Sequence, residues 1–316
     1  MTSSKKIDQL ANIAKLYYEQ NYTQQMIAAK TGLSRPYVSK LLNEARESGI
    51  VEIKINDPNM TESRIERNLR EKFGLKKVIA VSVVERLEEN LVSKLSNALS
   101  RYLNIIVLDN DIIGVSWGTT LYVCSLNLKI FKEVKNIRVV QMCGAISMAD
   151  RDIYASEIPK KFAEAFNGTP YLLPLPAVVD NIEAKNAIIK DQSISAILKM
   201  AKEANVAIYS IGIFGHNRTL SRAGYVSAQK VDELLIKGAV GDMCSRIINS
   251  SGQLCDPELD DRTIGIKLED LKKKNYSIAI AGGLDKVECI RAALNGGYAN
   301  VLITDEDVAR ELLKEP

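Results

Sequence analysis

From Asp109 onward the chain repeats one rhythm: a short apolar run rich in β-branched residues, a loop, then a helical segment. The runs are residues 111–116 (DIIGVS), 137–143 (IRVVQMC), 206–212 (VAIYSIG), 277–282 (SIAIAG) and 300–304 (NVLIT). Helical periodicity fills much of the space between them, at residues 156–166, 182–202 and 285–295. Alternation of this kind makes a parallel sheet covered by helices, so this part is expected to be an α/β domain of the Rossmann-like class. Ligands of such sheets sit beyond the C-terminal ends of the strands, and those ends are where chemistry is to be sought.

Two strand ends look built for an anion. In residues 114–121 (GVSWGTTL) a strand runs into Gly118, whose backbone can approach a ligand closely. Thr119 and Thr120 then offer hydroxyls beside the free N–H groups of a helix start. Read alone, this is equally a plain strand-to-helix turn with a threonine cap. In residues 280–286 (IAGGLDK) a strand ends in glycines and Lys286 opens the next helix. A lysine is normally unfavourable there, because the helix dipole is positive at that end, and an anion between the two removes the conflict. No Walker P-loop is present, which argues against nucleotide hydrolysis.

Other polar groups lie on the same edge if the strand order allows. They are the glycine turn in residues 141–147 (QMCGAIS), Asp180 at the end of a proline-rich loop, and Arg222 and Asp242 on turns after the next strand. Arginine suits a phosphate and a carboxylate suits sugar hydroxyls, so the set reads as a sugar-phosphate pocket. Each residue alone is more often a surface salt bridge. His216 is the single histidine and falls in a polar turn, where exposure is expected rather than catalysis, with no evident carboxylate to orient it.

The N-terminal part follows a different pattern. Residues 23–42 (TQQMIAAKTGLSRPYVSKLL) read as two short helices around a tight turn. Thr23 and Ser34 are placed as N-caps, Gly32 suits a left-handed turn, and Pro36 lies where a missing N–H does no harm. Ile27, Val38, Leu41 and Leu42 keep an apolar stripe, with Ala28 small enough for a close helix crossing. Thr23, Gln24, Ser34, Arg35, Tyr37, Ser39 and Lys40 are left to meet DNA, as in a helix–turn–helix. Ahead of it Ile7, Leu10, Ala11, Ala14, Tyr17 and Tyr18 recur at helical spacing and form a supporting helix. Residues 50–55 (IVEIKI) alternate like the strand of a wing, and the turn formers at 56–59 (NDPN) mark a boundary. The reading is a winged helix–turn–helix domain over 1–57 and an effector and oligomerisation domain over 58–316. The charged amphipathic segment 61–73 serves either as a linker helix between heads or as a helix of the second domain.

Composition narrows the class further. The five cysteines, Cys124, Cys143, Cys244, Cys255 and Cys289, form no C-x-x-C, and one histidine is too few for a zinc site, so reduced thiols and no metal are expected. No run of about 18 apolar residues occurs and the N-terminus carries no apolar signal core, which points to the cytoplasm and away from a membrane. In residues 1–57 Lys and Arg outnumber Asp and Glu only eight to six. One copy of such a head binds DNA weakly, because phosphate neutralisation supplies most non-specific affinity, and a dimer or tetramer is therefore expected.

These segments in this order (LYYEQNYTQQMIAAKTGLSRPYVSKLL, DIIGVSWGTT, YLLPLPAVVDN, GAVGDMCSRI, DRTIGIKLEDLK, AGGLDK, GGYANVLITDED) resemble the SorC family, also described as DeoR-like. The likeness is greatest to its deoxyribonucleoside-operon regulators. The resemblance implies a repressor-type transcriptional regulator with a C-terminal domain similar to sugar-phosphate isomerases, assembled as a dimer or tetramer. It also implies an effector that is a phosphorylated sugar, and no cofactor. By the same resemblance Thr119, Thr120 and Lys286 hold the phosphate, Asp242 holds sugar hydroxyls, and Gly144 lines the pocket. Relatives can have a lysine, able to form an imine with a sugar aldehyde, where this chain has Cys143. Cysteine cannot, so non-covalent binding is the expectation. The competing expectation is a sugar-phosphate isomerase or deaminase with an appended head, which requires a placed acid–base pair.

Overall fold

The computed structural model describes residues 3–20, 22–51, 62–83, 88–145 and 154–314. The chain divides into two compact units, Met1–Thr61 and Glu62–Pro316. The boundary expected at 57/58 and most of the strand expected over 50–55 lie outside the described residues.

The first unit contains α1 (Ser3–Tyr18), α2 (Gln24–Thr31) and α3 (Arg35–Glu47). The Thr23 hydroxyl accepts from the Met26 N–H at 3.2 Å and the Ser34 hydroxyl from the Tyr37 N–H at 3.4 Å. Gly32 closes α2 with φ 71°, a conformation that costs glycine little. Ile27, Val38, Leu41, Leu42 and Ala45 are buried with Leu10, Ile13 and Ala14 of α1. Ile13 replaces the expected Ile7, which is exposed, because the inward stripe runs Leu10, Ile13, Ala14, Tyr17 at i, i+3, i+4, i+7. Tyr17 and Tyr18 pack on this core, edge to face with centroids 4.9 Å apart.

In the second unit α4 (Arg64–Phe73) settles the choice left open for the segment 61–73. Its Leu69 is fully buried in the core of that unit. Glu66 joins the helix to the sheet: it closes a capping box with Ser63 and accepts from the Ala80 N–H at 2.9 Å.

The strands are β1 (Lys77–Val81), β2 (Ile112–Val115), β3 (Arg138–Gln141), β4 (Thr169–Tyr171), β5 (Val206–Ser210), β6 (Gly212–Ile213), β7 (Ala239–Met243), β8 (Arg246–Asn249), β9 (Tyr276–Ile280) and β10 (Val301–Asp305). Seven of them form a parallel sheet in the order β1-β10-β9-β5-β2-β3-β4. Its central strands are apolar almost throughout, as burial on both faces requires. The chain builds outward from β2 through β3 to β4, then returns to lay β5 on the other side of β2. That reversal makes β2/β5 the topological switch point, where a crevice opens beyond the strand ends.

Local patterning does not predict β4 or the small antiparallel sheet β6-β7-β8. Asp242, expected on a turn, lies in β7 and pairs with Gly212 of β6. Arg222, expected on a turn, ends the one-turn helix Thr219–Arg222. The single helix expected over 182–202 is two, Ile182–Ile188 and Gln192–Glu203. The Asp191 carboxylate breaks the run by accepting from the Ser193 and Ile194 N–H groups at 2.9 and 3.1 Å, which caps the second helix.

Candidate functional site

On the first unit, α3 presents Arg35, Tyr37 and Lys40 to solvent, with Ser39 and, on α2, Gln24 half-buried. Thr23 and Ser34 use their hydroxyl oxygens as caps.

On the second unit the switch-point crevice is built from backbone. Gly118 takes φ 133° at the N-cap of the helix Thr119–Leu126 and supplies no side chain to cover its first turn. A Cβ at Gly118 would stand 3.3 Å from the Ser210 hydroxyl at the end of β5, so the two central strand ends abut here. Thr119 is exposed and Thr120 half-buried. Trp117 is buried and its indole N–H donates to the Gly144 carbonyl at 3.2 Å. Gly144 in turn packs on the loop after β4: a Cβ there would lie 2.2 Å from the Pro176 carbonyl oxygen. The Ala145 N–H donates to the Leu175 carbonyl at 2.7 Å, which ties the ends of β3 and β4 together.

The neighbouring strand end supplies charge. Gly283, at φ 100°, donates its N–H to Asp305 at 2.8 Å, and Lys286 follows at the N-cap of the helix Val287–Asn295. Asp242 is half-buried, and a Cβ on its partner Gly212 would come within 2.7 Å of its carboxylate. Burial pushes the Asp242 carboxyl up to about 7, while the Lys286 ammonium nearby pulls it down. Cys289, one helical turn beyond Lys286, donates its thiol to the Lys286 carbonyl at 3.1 Å. Burial pushes that thiol up to about 12, with Lys286 opposing and Asp242 adding to the rise. Lys286, Asp242 and Cys289 therefore form one electrostatic group beside the ends of β5 and β9.

The remaining expected residues divide. Cys143 is fully buried, hydrogen-bonded to the Cys244 thiol, which that bond and burial hold well above the ordinary thiol range. It underlies the crevice rather than pointing a nucleophile into it. Asp180 is exposed and its carbonyl accepts from Arg262 at 3.3 Å. Arg222 is exposed at its helix end. The structure does not draw these two into the cradle formed by Gly118, Asp242 and Lys286. His216 is exposed as expected, but it does have a carboxylate partner, Asp232 at 2.7 Å, also exposed.

Sequence reading missed Ser210, Cys289 and Tyr225. Tyr225 lies against Trp117 with ring centroids 6.4 Å apart. Cys289 was open to detection, since it stands three residues after Lys286 on the same helix face. Ser210 and Tyr225 carried no such local signal.

A helix–turn–helix unit joined to an α/β unit with an anion-ready crevice defines a transcriptional regulator that senses a small molecule. The Sugar-bind family of sugar-binding domains matches residues 57–314. The deoxyribonucleoside regulator of Bacillus subtilis is 42% identical over 302 residues, 96% of each chain. The sorbitol operon regulator of Klebsiella pneumoniae is 31% identical over 315 residues, 99% of this chain and 100% of that one. The crystal structure of the full-length sorbitol operon regulator superposes with a TM-score of 0.78, covering 98% of this chain and 99% of that one. The chain belongs to the SorC family of transcriptional regulators.

Proposed function

We propose that this protein represses a carbohydrate or deoxyribonucleoside catabolic operon in the cytoplasm and is controlled by a phosphorylated sugar. The observation that carries the reading is the meeting of Gly118, at a bare helix start, with Asp242 and Lys286 around the adjoining ends of β2, β5 and β9. The phosphate sits between the N–H groups and hydroxyls of Thr119 and Thr120 and the Lys286 ammonium. There it relieves the lysine placed at a helix N-terminus. Asp242 takes the sugar hydroxyls, and the buried Cys143 offers no amine for an imine.

The same groups support a sensor rather than a catalyst. Beside Asp242 stand the Lys286 side chain and a Cys289 thiol that burial pushes up to about 12, so that thiol supplies no base. Ligand acts by favouring one arrangement of subunits, and several heads held in register compensate for the weak charge of each.

Trp117 is the only tryptophan, which makes its emission a direct report on the crevice. The test is a titration of full-length protein with deoxyribose 5-phosphate, ribose 5-phosphate and glucosamine 6-phosphate against their unphosphorylated sugars. A gel shift on the gene's upstream DNA runs in parallel. A sugar phosphate is expected to change both signals where the free sugar changes neither. If no phosphorylated sugar moved the gel shift, the effector assignment would fall.

A further inference from the structure

Ser210 is the last residue of β5, the strand on one side of the switch point. Its backbone is engaged by the sheet, in register with Ile280 of β9. Its hydroxyl is half-buried and has no hydrogen-bond partner among the described residues. Polar side chains at two other strand ends are fully occupied. Gln141, at the end of β3, donates its amide to the carbonyls of Cys143 and Leu173 and accepts from the Leu173 N–H. Asp305, at the end of β10, accepts from the N–H groups of Gly283 and Val308. The Ser210 hydroxyl loses part of its hydration and gains no bond within the chain, so it marks a place for an outside acceptor.

Position says which acceptor. The Ser210 Oγ is the atom 3.3 Å from where a Cβ at Gly118 would stand. Gly118 is the N-cap of the helix Thr119–Leu126, so the hydroxyl lies against the turn whose first N–H groups are open to an anion. Two residues on, Gly212 leaves its own face bare to the Asp242 carboxylate, 2.7 Å from the Cβ it lacks. Residues 210–212 therefore run from the helix start to Asp242, with the hydroxyl at the helix end. A serine adds a donor there without adding a charge, and a donor aimed at an ionised acceptor makes one of the stronger hydrogen bonds.

We propose that Ser210 is a further effector-binding residue, which donates its hydroxyl to the phosphate held at the start of the helix Thr119–Leu126. This role rests on the phosphorylated-sugar reading above. Lys286 supplies the attraction of a point charge, which any anion satisfies. Ser210, fixed by β5, supplies direction from a second side of the helix start. That arrangement suits the three terminal oxygens of a phosphate monoester better than the two of a carboxylate. The residue therefore helps the pocket to prefer a sugar phosphate to a sugar acid of the same charge sign.

The test is a titration of the full chain with inorganic phosphate and with the three sugar phosphates named above, followed by calorimetry and Trp117 emission. It compares wild type, Ser210→Ala, Ser210→Asp and Lys286→Ala. Ser210→Ala is expected to weaken inorganic phosphate and sugar phosphate by the same factor, ~10-fold or more, the worth of one hydrogen bond to a charged acceptor. Its thermal melting and its operator gel shift without ligand are expected to match the wild type. Ser210→Asp turns a like charge on the phosphate and is expected to prevent saturation at concentrations that fill the wild type. Unchanged binding in Ser210→Ala, with binding lost in Lys286→Ala, would overturn the role of Ser210 and leave the phosphate reading standing. Weakened sugar phosphate with inorganic phosphate untouched would also overturn it, because the hydroxyl would then serve the sugar. A wild type that bound none of these probes would overturn the role of Ser210 together with the reading beneath it.

Discussion

The Asp242 carboxyl links this pocket to pH in a way that can be worked out in advance. Its ordinary value of 3.8 is raised to about 7 by burial. Between those values the native state holds a proton that the unfolded chain has released. Stability from this group is complete below about 4, falls as pH rises toward about 7, and is level above that. A shift of about three units corresponds to ~4 kcal/mol in full, and roughly half that once water access to the half-buried carboxylate is allowed for. The perturbation is Asp242→Asn, which keeps the shape and removes the titration. The assay is denaturant unfolding followed by Trp117 emission, which reports only the second unit, at a series of pH values from 5 to about 8. The wild type is expected to lose stability across that range by ~1.4 kcal/mol more than the variant, since about two of the three units fall above pH 5. Lys286→Met, by removing the opposing ammonium, is expected to extend the loss to higher pH. Parallel pH profiles for wild type and Asp242→Asn would refute the reasoning, because they would mean that the carboxylate is ionised throughout.

Three further outcomes follow from the same geometry. Lys286→Ala is expected to weaken sugar-phosphate binding by ~10- to 100-fold, the worth of one charge-assisted hydrogen bond, while operator binding measured by gel shift persists. Arg35→Ala and Lys40→Ala are expected to weaken operator binding and to lower its salt slope by about one for each phosphate contact removed, with Trp117 titrations unchanged. Gly144→Ala places a Cβ 2.2 Å from the Pro176 carbonyl oxygen and is expected to cost ~1–3 kcal/mol in denaturant unfolding, because backbone, not a flexible side chain, has to give way.

The head was legible because its determinants are local. Thr23 bonds Met26 and Ser34 bonds Tyr37, each three residues away, and Gly32 closes α2 by its own dihedral. A chain can be read for such features without knowing what lies across from them. The parallel sheet was legible for a related reason, since alternating short apolar runs and helices have few other ways to bury themselves. The split at Asp191 was also written in the sequence, as a capping residue inside an apparently continuous helix, and was overlooked.

The crevice itself was only partly legible. Gly118, Thr119, Thr120 and Lys286 stood out because each sits at a strand-to-helix junction, a pattern contained within a few residues. That the two junctions face one another depends on strand order, and β2, β5 and β9 are brought side by side from distant parts of the chain. Only that order puts Ser210 against Gly118 and Asp242 within the field of Lys286. It also buries Cys143 beneath the crevice and leaves Arg222 and Asp180 exposed, although all three looked alike as polar strand-end residues. Capping, turn preference and hydrophobic period act over a few residues, so sequence alone determined the elements and the type of each. Desolvation and the field of a neighbouring charge depend on distances through space, so the tertiary structure alone decided which side chains share the site.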